Sequence, residues 1–199
     1  MLFRSVGFLS TLIGFIFAYA DSYIKSHFKK LFKVVSLLPI ISPPFVLALS
    51  AIMLFGQYGL ITRKLFGIQN ANIYGFHGLV MVQTMTFFPV AYLLLTGLLK
   101  RIDPSLEEAA RNMGASRWKT FKTVTLPLMA PGLANAFLLT FIETVADFSN
   151  PMVIGGNYST LATQIYLQAI GNYDMQGGAA VAVILLSKIG RTSCRERVS

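Results

Sequence analysis

Four stretches of this chain, residues 6–20, 34–55, 75–99 and 128–154, contain between them only two formal charges, Glu143 and Asp147. An α-helix rises 1.5 Å per residue, so about 20 apolar residues cross a hydrocarbon core roughly 30 Å thick. In lipid every backbone N–H and C=O must bond within its own segment, which makes helix the expected form of each stretch. With 54% hydrophobic and 13% charged residues, the chain is expected to be all-α, a polytopic transmembrane helical bundle. About five spans are present, the last opening at Ala179 and cut short after Ser187. The positive charge is then a matter of lipid headgroups and topology, with no nucleic-acid partner implied.

The ends bear on that charge. Residues 189–198, IGRTSCRERV, resemble the translated read-through of a common sequencing adapter, IGRASCRERV, with Thr192 the one mismatch; residues 2–5, LFRS, resemble the same adapter on the opposite strand. The expectation is that 1–5 and 188–199 are adapter-like artefact and that 6–187 is a partial transmembrane domain, missing an upstream span. Setting aside Arg4, Lys188, Arg191, Arg195, Arg197 and Glu196 lowers the net charge from +9 to +5. The single cysteine, Cys194, goes too, so no disulfide framework or thiolate metal site is expected.

The remaining basic residues fall unevenly. The linker 21–33 carries Lys25, Lys29, Lys30 and Lys33, and the loop 56–74 carries Arg63 and Lys64. The polar island after segment 75–99 carries Lys100, Arg101, Arg111, Arg117, Lys119 and Lys122, and the loop 155–178 carries none. Alternate connections are rich and poor in positive charge, which puts the linker and the island on the cytoplasmic side of a multi-pass protein. Within 34–55, Pro39, Pro43 and Pro44 predict a kink or a broken turn, either a flexing element beside a pathway or a fixed bend. His77, near the end of its segment, reads as an interfacial residue, since only His27 could join it and that lies across the membrane.

The island itself, residues 103–127, reads DPSLEEAARNMGASRWKTFKTVTLP. Asp103 suits a helix N-cap and Pro104 the first helical position, with Glu107 and Glu108 near the positive end of the dipole. Gly114 ends that helix, Ser116 can cap a second over 118–124, and Pro127 marks re-entry into an apolar run. The pattern Glu108-Ala109-Ala110, three residues, Gly114, nine residues, then Val124-Thr125-Leu126-Pro127 resembles the cytoplasmic EAA loop of the binding-protein-dependent ABC importer permeases, with Val124 where that family's pattern has Ile.

This resemblance implies a type I ABC importer permease fold, here helices two to six of a six-helix unit, in a bacterial inner membrane. It implies partners as well: ABC ATPase subunits, a second permease half that is fused or separate, and a periplasmic or lipid-anchored solute-binding protein. Glu108 would offer a charged contact to the ATPase, Ala109 and Ala110 close approach, Gly114 the sharp turn, and Leu126 and Pro127 the junction with the next segment. The chain holds no G-x-x-x-x-G-K-[ST] loop and no catalytic constellation. Cofactors are therefore expected on none of its residues, with ATP and magnesium on the partner ATPase.

The stretch from Thr140 onward most resembles the first half of ferric-iron permeases. Polyamine, sulfate or thiosulfate, and phosphonate importers share the EAA loop, and a secondary transporter or a membrane enzyme are the more distant alternatives. Glu143 and Asp147, four residues apart on one helical face, are candidate pathway-lining residues near the outer interface. They either line the mouth of the pathway, where a hard cation such as Fe³⁺ would suit them, or pair with helix-end backbone and water. Two oxygens do not make a coordination sphere, and no resident metal site is expected.

Overall fold

The computed structural model describes residues 1–23, 29–43, 45–67 and 72–196. Lys25, His27, Pro44, Asn70 and Arg197 lie outside the described residues, as do the side chains of Lys29, Lys30, Lys188, Arg191, Cys194, Arg195 and Glu196. Among the described residues the chain is helical throughout: α1 Leu2–Tyr23, α2 Lys29–Ile41, α3 Val46–Phe55, α4 Phe76–Leu99, α5 Pro104–Asn112, α6 Arg117–Thr120, α7 Leu126–Ala146, α8 Ser149–Ile154, α9 Leu161–Tyr166 and α10 Met175–Glu196. Wider π-helical turns occupy Leu60–Leu65, Phe121–Thr125 and Leu167–Gly171. Four stretches are long and apolar enough to cross a membrane, Leu2–Tyr23, Val46–Leu65, Phe76–Leu99 and Arg117–Ala146, and Met175–Ser187 is a shorter apolar helix.

Several expected boundaries move, each for a visible reason. Segment 34–55 is two helices, broken at residues 42–45, and the span-length stretch begins at Val46 and takes in the π-helical turn that opens the expected loop 56–74. Asp21, read as the first linker residue, belongs to the last turn of α1, where it is buried beside the Tyr92 hydroxyl. Segment 128–154 breaks at Asp147 into α7 and α8, and the expected loop 155–178 contains α9, N-capped by Thr160. The last helix starts at Met175 instead of Ala179, because the Asp174 carboxylate accepts from Gly177 N–H at 2.9 Å. Gly177 and Gly178 signalled loop, yet here they admit the capping carboxylate and the close approach of Ala169.

Packing centres on α1, α4 and α7, which touch pairwise. Lipid tails are as apolar as leucine, so such helices associate through close contact of small residues. Gly14 illustrates this: a Cβ there would meet the Ala91 Cβ at 2.6 Å and the Tyr92 nitrogen at 2.8 Å. Two apolar clusters result. One joins Leu2, Val6, Ala48, Ile73, Leu79, Val82 and Ile154; the other joins Ala18, Tyr92, Leu95, Leu99, Met129 and Ala136. Between them lies a belt of hydroxyls: Thr11 meets Thr140 across α1 and α7 at 3.3 Å. Most belt hydroxyls also bond their own helix, Thr11 to Gly7 O, Thr140 to Ala136 O and Thr144 to Thr140 O.

The two ends of the bundle differ in charge. At one, Tyr23, the last residue of α1, meets Glu107 of α5, so the end of α1 and the six-cation island lie together. At the other, Gly75 N–H bonds Ile154 O at 3.0 Å and Phe76 packs edge-on to Tyr158, joining the loops poor in positive charge. The geometry thus agrees with the charge count about which loops share a side.

Candidate functional site

The polar island folds as the caps dictate. Asp103 accepts from Ser105 N–H at 2.9 Å and Pro104 occupies the first position of α5. This donated N–H holds the Asp103 carboxyl below the usual carboxylate range. Gly114 follows α5 with φ +86°, a left-handed conformation that a side chain would strain, with open space where its Cβ would be. Ser116 then caps α6 by accepting from Lys119 N–H at 3.3 Å.

One feature differs from expectation. The second helix does not stop before Pro127; it runs from Arg117 through the π-helical turn into α7. Pro127 has no N–H for the carbonyl four residues back, and the wider turn, in which Leu126 N–H reaches Phe121 O, takes up the proline without a break. Leu126 and Pro127 open α7 and so form its rigid continuation from the island.

The E-A-A residues separate by face. Glu108 and Ala109 are exposed, whereas Ala110 is buried, as is Glu107 just ahead of the pattern. Trp118, 71% exposed, stacks on Phe121 at 5.5 Å and leaves its outer face open. Glu107 reads in the sequence only as a first-turn acid at the positive end of the dipole, yet it is buried here. Its signal was the period of α5, which places 107 and 110 on one side and 108 on another.

At the other end, Glu143 and Asp147 line one cavity of about 390 Å³. Its walls include Pro39, Ser42 and Pro43 from the α2–α3 break, and Thr86, Ser149 and Asn150. The two sequence-predicted features, the proline break and the carboxylate pair, therefore meet. The carboxylates are not equivalent. Asp147 Oδ1 accepts from Ser149 and Asn150 N–H at 3.0 and 3.3 Å, and Oδ2 accepts from Gln83 Nε2 and Asn150 Nδ2, both at 2.9 Å. From its place just ahead of the N-cap position, Phe148, its carboxylate takes the first N–H groups of α8 and ties that helix to α4. Glu143 is exposed to the cavity. His77 stands exposed at the start of α4, edge-on to Phe76. Among the described residues no three His, Cys, Asp or Glu side chains gather as metal ligands.

Apolar spans, loops sorted by charge between two ends and a capped helix pair continuous with a membrane helix define a multi-pass membrane transport protein of the type I ABC importer permease fold. The chain belongs to the family described as binding-protein-dependent transport system inner membrane component, whose model matches residues 10–190. It is 42% identical over 186 residues to the ferric transport system permease protein FbpB of Actinobacillus pleuropneumoniae, covering 91% of this chain and 27% of that protein. The protein of Haemophilus influenzae named putative ferric transport system permease protein FbpB 1 is 41% identical over 186 residues, covering 91% of this chain and 29% of its own length. The chain thus spans little more than a quarter of these relatives. Its fold is similar to that of a bacterial ABC transporter involved in the import of the acidic polysaccharide alginate, with TM-score 0.75, 16% identity, and coverage of 98% of this chain and 77% of that one.

Proposed function

We propose that this chain is part of the membrane permease of an ATP-driven importer of ferric iron, lining the solute route and receiving motion from a separate ATPase through the α5–α6 loop. The observation that carries the reading is the mechanical continuity of that loop with α7: a helix pair capped at both starts, turned sharply at Gly114 and running on without a break into a membrane helix. Displacement of such a rigid pair at the surface is transmitted along α7 as a lever. Glu108, Ala109 and Trp118 are its outward face, suited to a groove on the ATPase. ATP and magnesium belong to that ATPase, and this chain contributes no catalytic group. A second permease half and a solute-binding protein on the outer side complete the assembly, in a bacterial inner membrane.

Iron as the solute is supported by the two ferric permeases at 42% and 41% identity. Within the route, Glu143 is the carboxylate open to a passing cation, and Asp147 holds the wall beside it. The test is uptake of radiolabelled ferric iron by the complete importer in vesicles, with ATP inside. Uptake is expected to require ATP and to disappear in Gly114→Asp while the protein still inserts. Normal uptake by that variant would sink the lever. Transport of sulfate, thiosulfate, a phosphonate or a polyamine in preference to iron would overturn the solute and leave the permease reading standing.

A further inference from the structure

Glu107 is only 8% exposed, although it sits on a surface helix. A carboxylate is buried at such a place only when its lone pairs are taken. Its Oε1 accepts from the Tyr23 hydroxyl and, at 2.7 Å, from the Thr125 hydroxyl. Its Oε2 faces the half-exposed Arg111 guanidinium at 3.8 Å. Tyr23 is the last residue of α1, and Thr125 ends the π-helical turn that leads into α7. One oxygen atom therefore joins α5, the end of α1 and the π-helical turn that leads into α7. The buried methyl of Ala110, one turn on, lies on the same face of α5.

We propose that Glu107 is the positioning residue that fastens the cytoplasmic loop to α1 as well as to α7, so that a push on the outer face of α5 moves two membrane helices as one body. This rests on the reading of the loop as the ATPase contact. Glu108 and Glu107 then divide the work: the exposed carboxylate meets the partner, and the buried one passes the movement on. Continuity of the chain alone would deliver the push to α7 and, through residues 100–103, to α4, but not to α1. The hydroxyl pair brings in α1, the helix that packs along α4.

The test uses the complete importer with its ATPase in liposomes, in a Cys194→Ser background. Spin labels are placed at two exposed positions, Met113→Cys beyond α5 and Ile16→Cys on α1. The label distance is compared between the nucleotide-free and the ATP-trapped complex. In the parent it is expected to stay constant. In Tyr23→Phe/Thr125→Val, which removes both hydroxyls while keeping side-chain bulk, it is expected to change by about 2 Å or more, the scale of helix shifts in such transitions. ATP hydrolysed per solute taken up is expected to rise about tenfold or more in Glu107→Leu, which can accept from neither hydroxyl, tenfold being the factor carried by one lost hydrogen bond to a buried charge. Thr125→Ser, which keeps its hydroxyl, is expected to behave as the parent.

A parent distance that already changes, or a double variant whose distance stays constant, would overturn the joint. So would an unchanged hydrolysis ratio in Glu107→Leu beside an uncoupled Gly114→Asp, an outcome that spares the loop itself. Failure of every Glu107, Tyr23 and Thr125 variant to insert would assign the residue to folding and equally overturn the proposal. Absence of any bound ATPase on the parent complex would remove the loop's role and the joint together.

Discussion

Asp147 and Glu143 lie one helical turn apart and are of one chemical type, but their surroundings assign them different work. Four N–H donors converge on Asp147, two of them from side chains buried among α4 and α8. Removing the carboxylate leaves those donors without acceptors, so Asp147→Ala is expected to lower folded stability by about 2–4 kcal/mol, and with it the amount of inserted protein. Glu143→Ala removes a side chain that faces the cavity and should shift stability by less than about 0.5 kcal/mol while reducing uptake. Thermal unfolding in detergent beside iron uptake separates the two effects; equal stability loss at both positions would refute the distinction. The sequence placed both residues on one face, which is correct for a continuous helix. It could not show the break at Asp147, because Gln83, which helps to fix it, is 64 residues away in the chain.

At the scale of elements, what was legible was what is local. Asp103-Pro104, Gly114 and Ser116 act on neighbours within four residues, and their caps and turn stand where the sequence put them. The uncharged runs likewise became helices, since nothing else satisfies a backbone in lipid. The illegible parts depend on space rather than on order. Gly177 and Gly178 read as loop because their service to Asp174 and Ala169 is a matter of distance, and the second helix reads as ending at Val124 because a π-helical turn that carries it past Pro127 has no composition of its own.

The Asp103 cap also gives α5 a pH dependence with a definite sign. Folding lowers the carboxyl below its ordinary value of 3.8. The stabilisation it supplies is therefore complete above that value and is lost as pH falls through the lowered one. The amide proton resonance of Ser105 should move with this titration, and Asp103→Asn, which caps without a charge, should abolish the pH dependence. A shift that persists in the Asn variant would mean that another group is titrating.

For the molecule as a whole, the pairing of loops at two ends makes a prediction that needs no transport assay. Met113 and Tyr173 are exposed and belong to loops assigned to opposite sides. In a Cys194→Ser background, a membrane-impermeant maleimide added to sealed right-side-out vesicles should label Tyr173→Cys at once and Met113→Cys only after permeabilisation. Equal labelling of both would contradict the alternation of basic loops on which the orientation rests.

The hydroxyl belt has a consequence for how this bundle can deform. Because Thr11, Thr140 and Thr144 bond mostly to carbonyls of their own helices, parting α1 from α7 at that level gives up only two side-chain hydrogen bonds between them, Thr11 to Thr140 and Thr140 to Gly7 O, worth about 1 kcal/mol each. At the basic end the two helices are held to α5 through a single carboxylate oxygen. A pair of rods fixed at one end and weakly held along its length keeps one soft degree of freedom, a splay about the fixed end. Sliding along the axis would break the joint, whereas opening like callipers toward the outer loops leaves it whole.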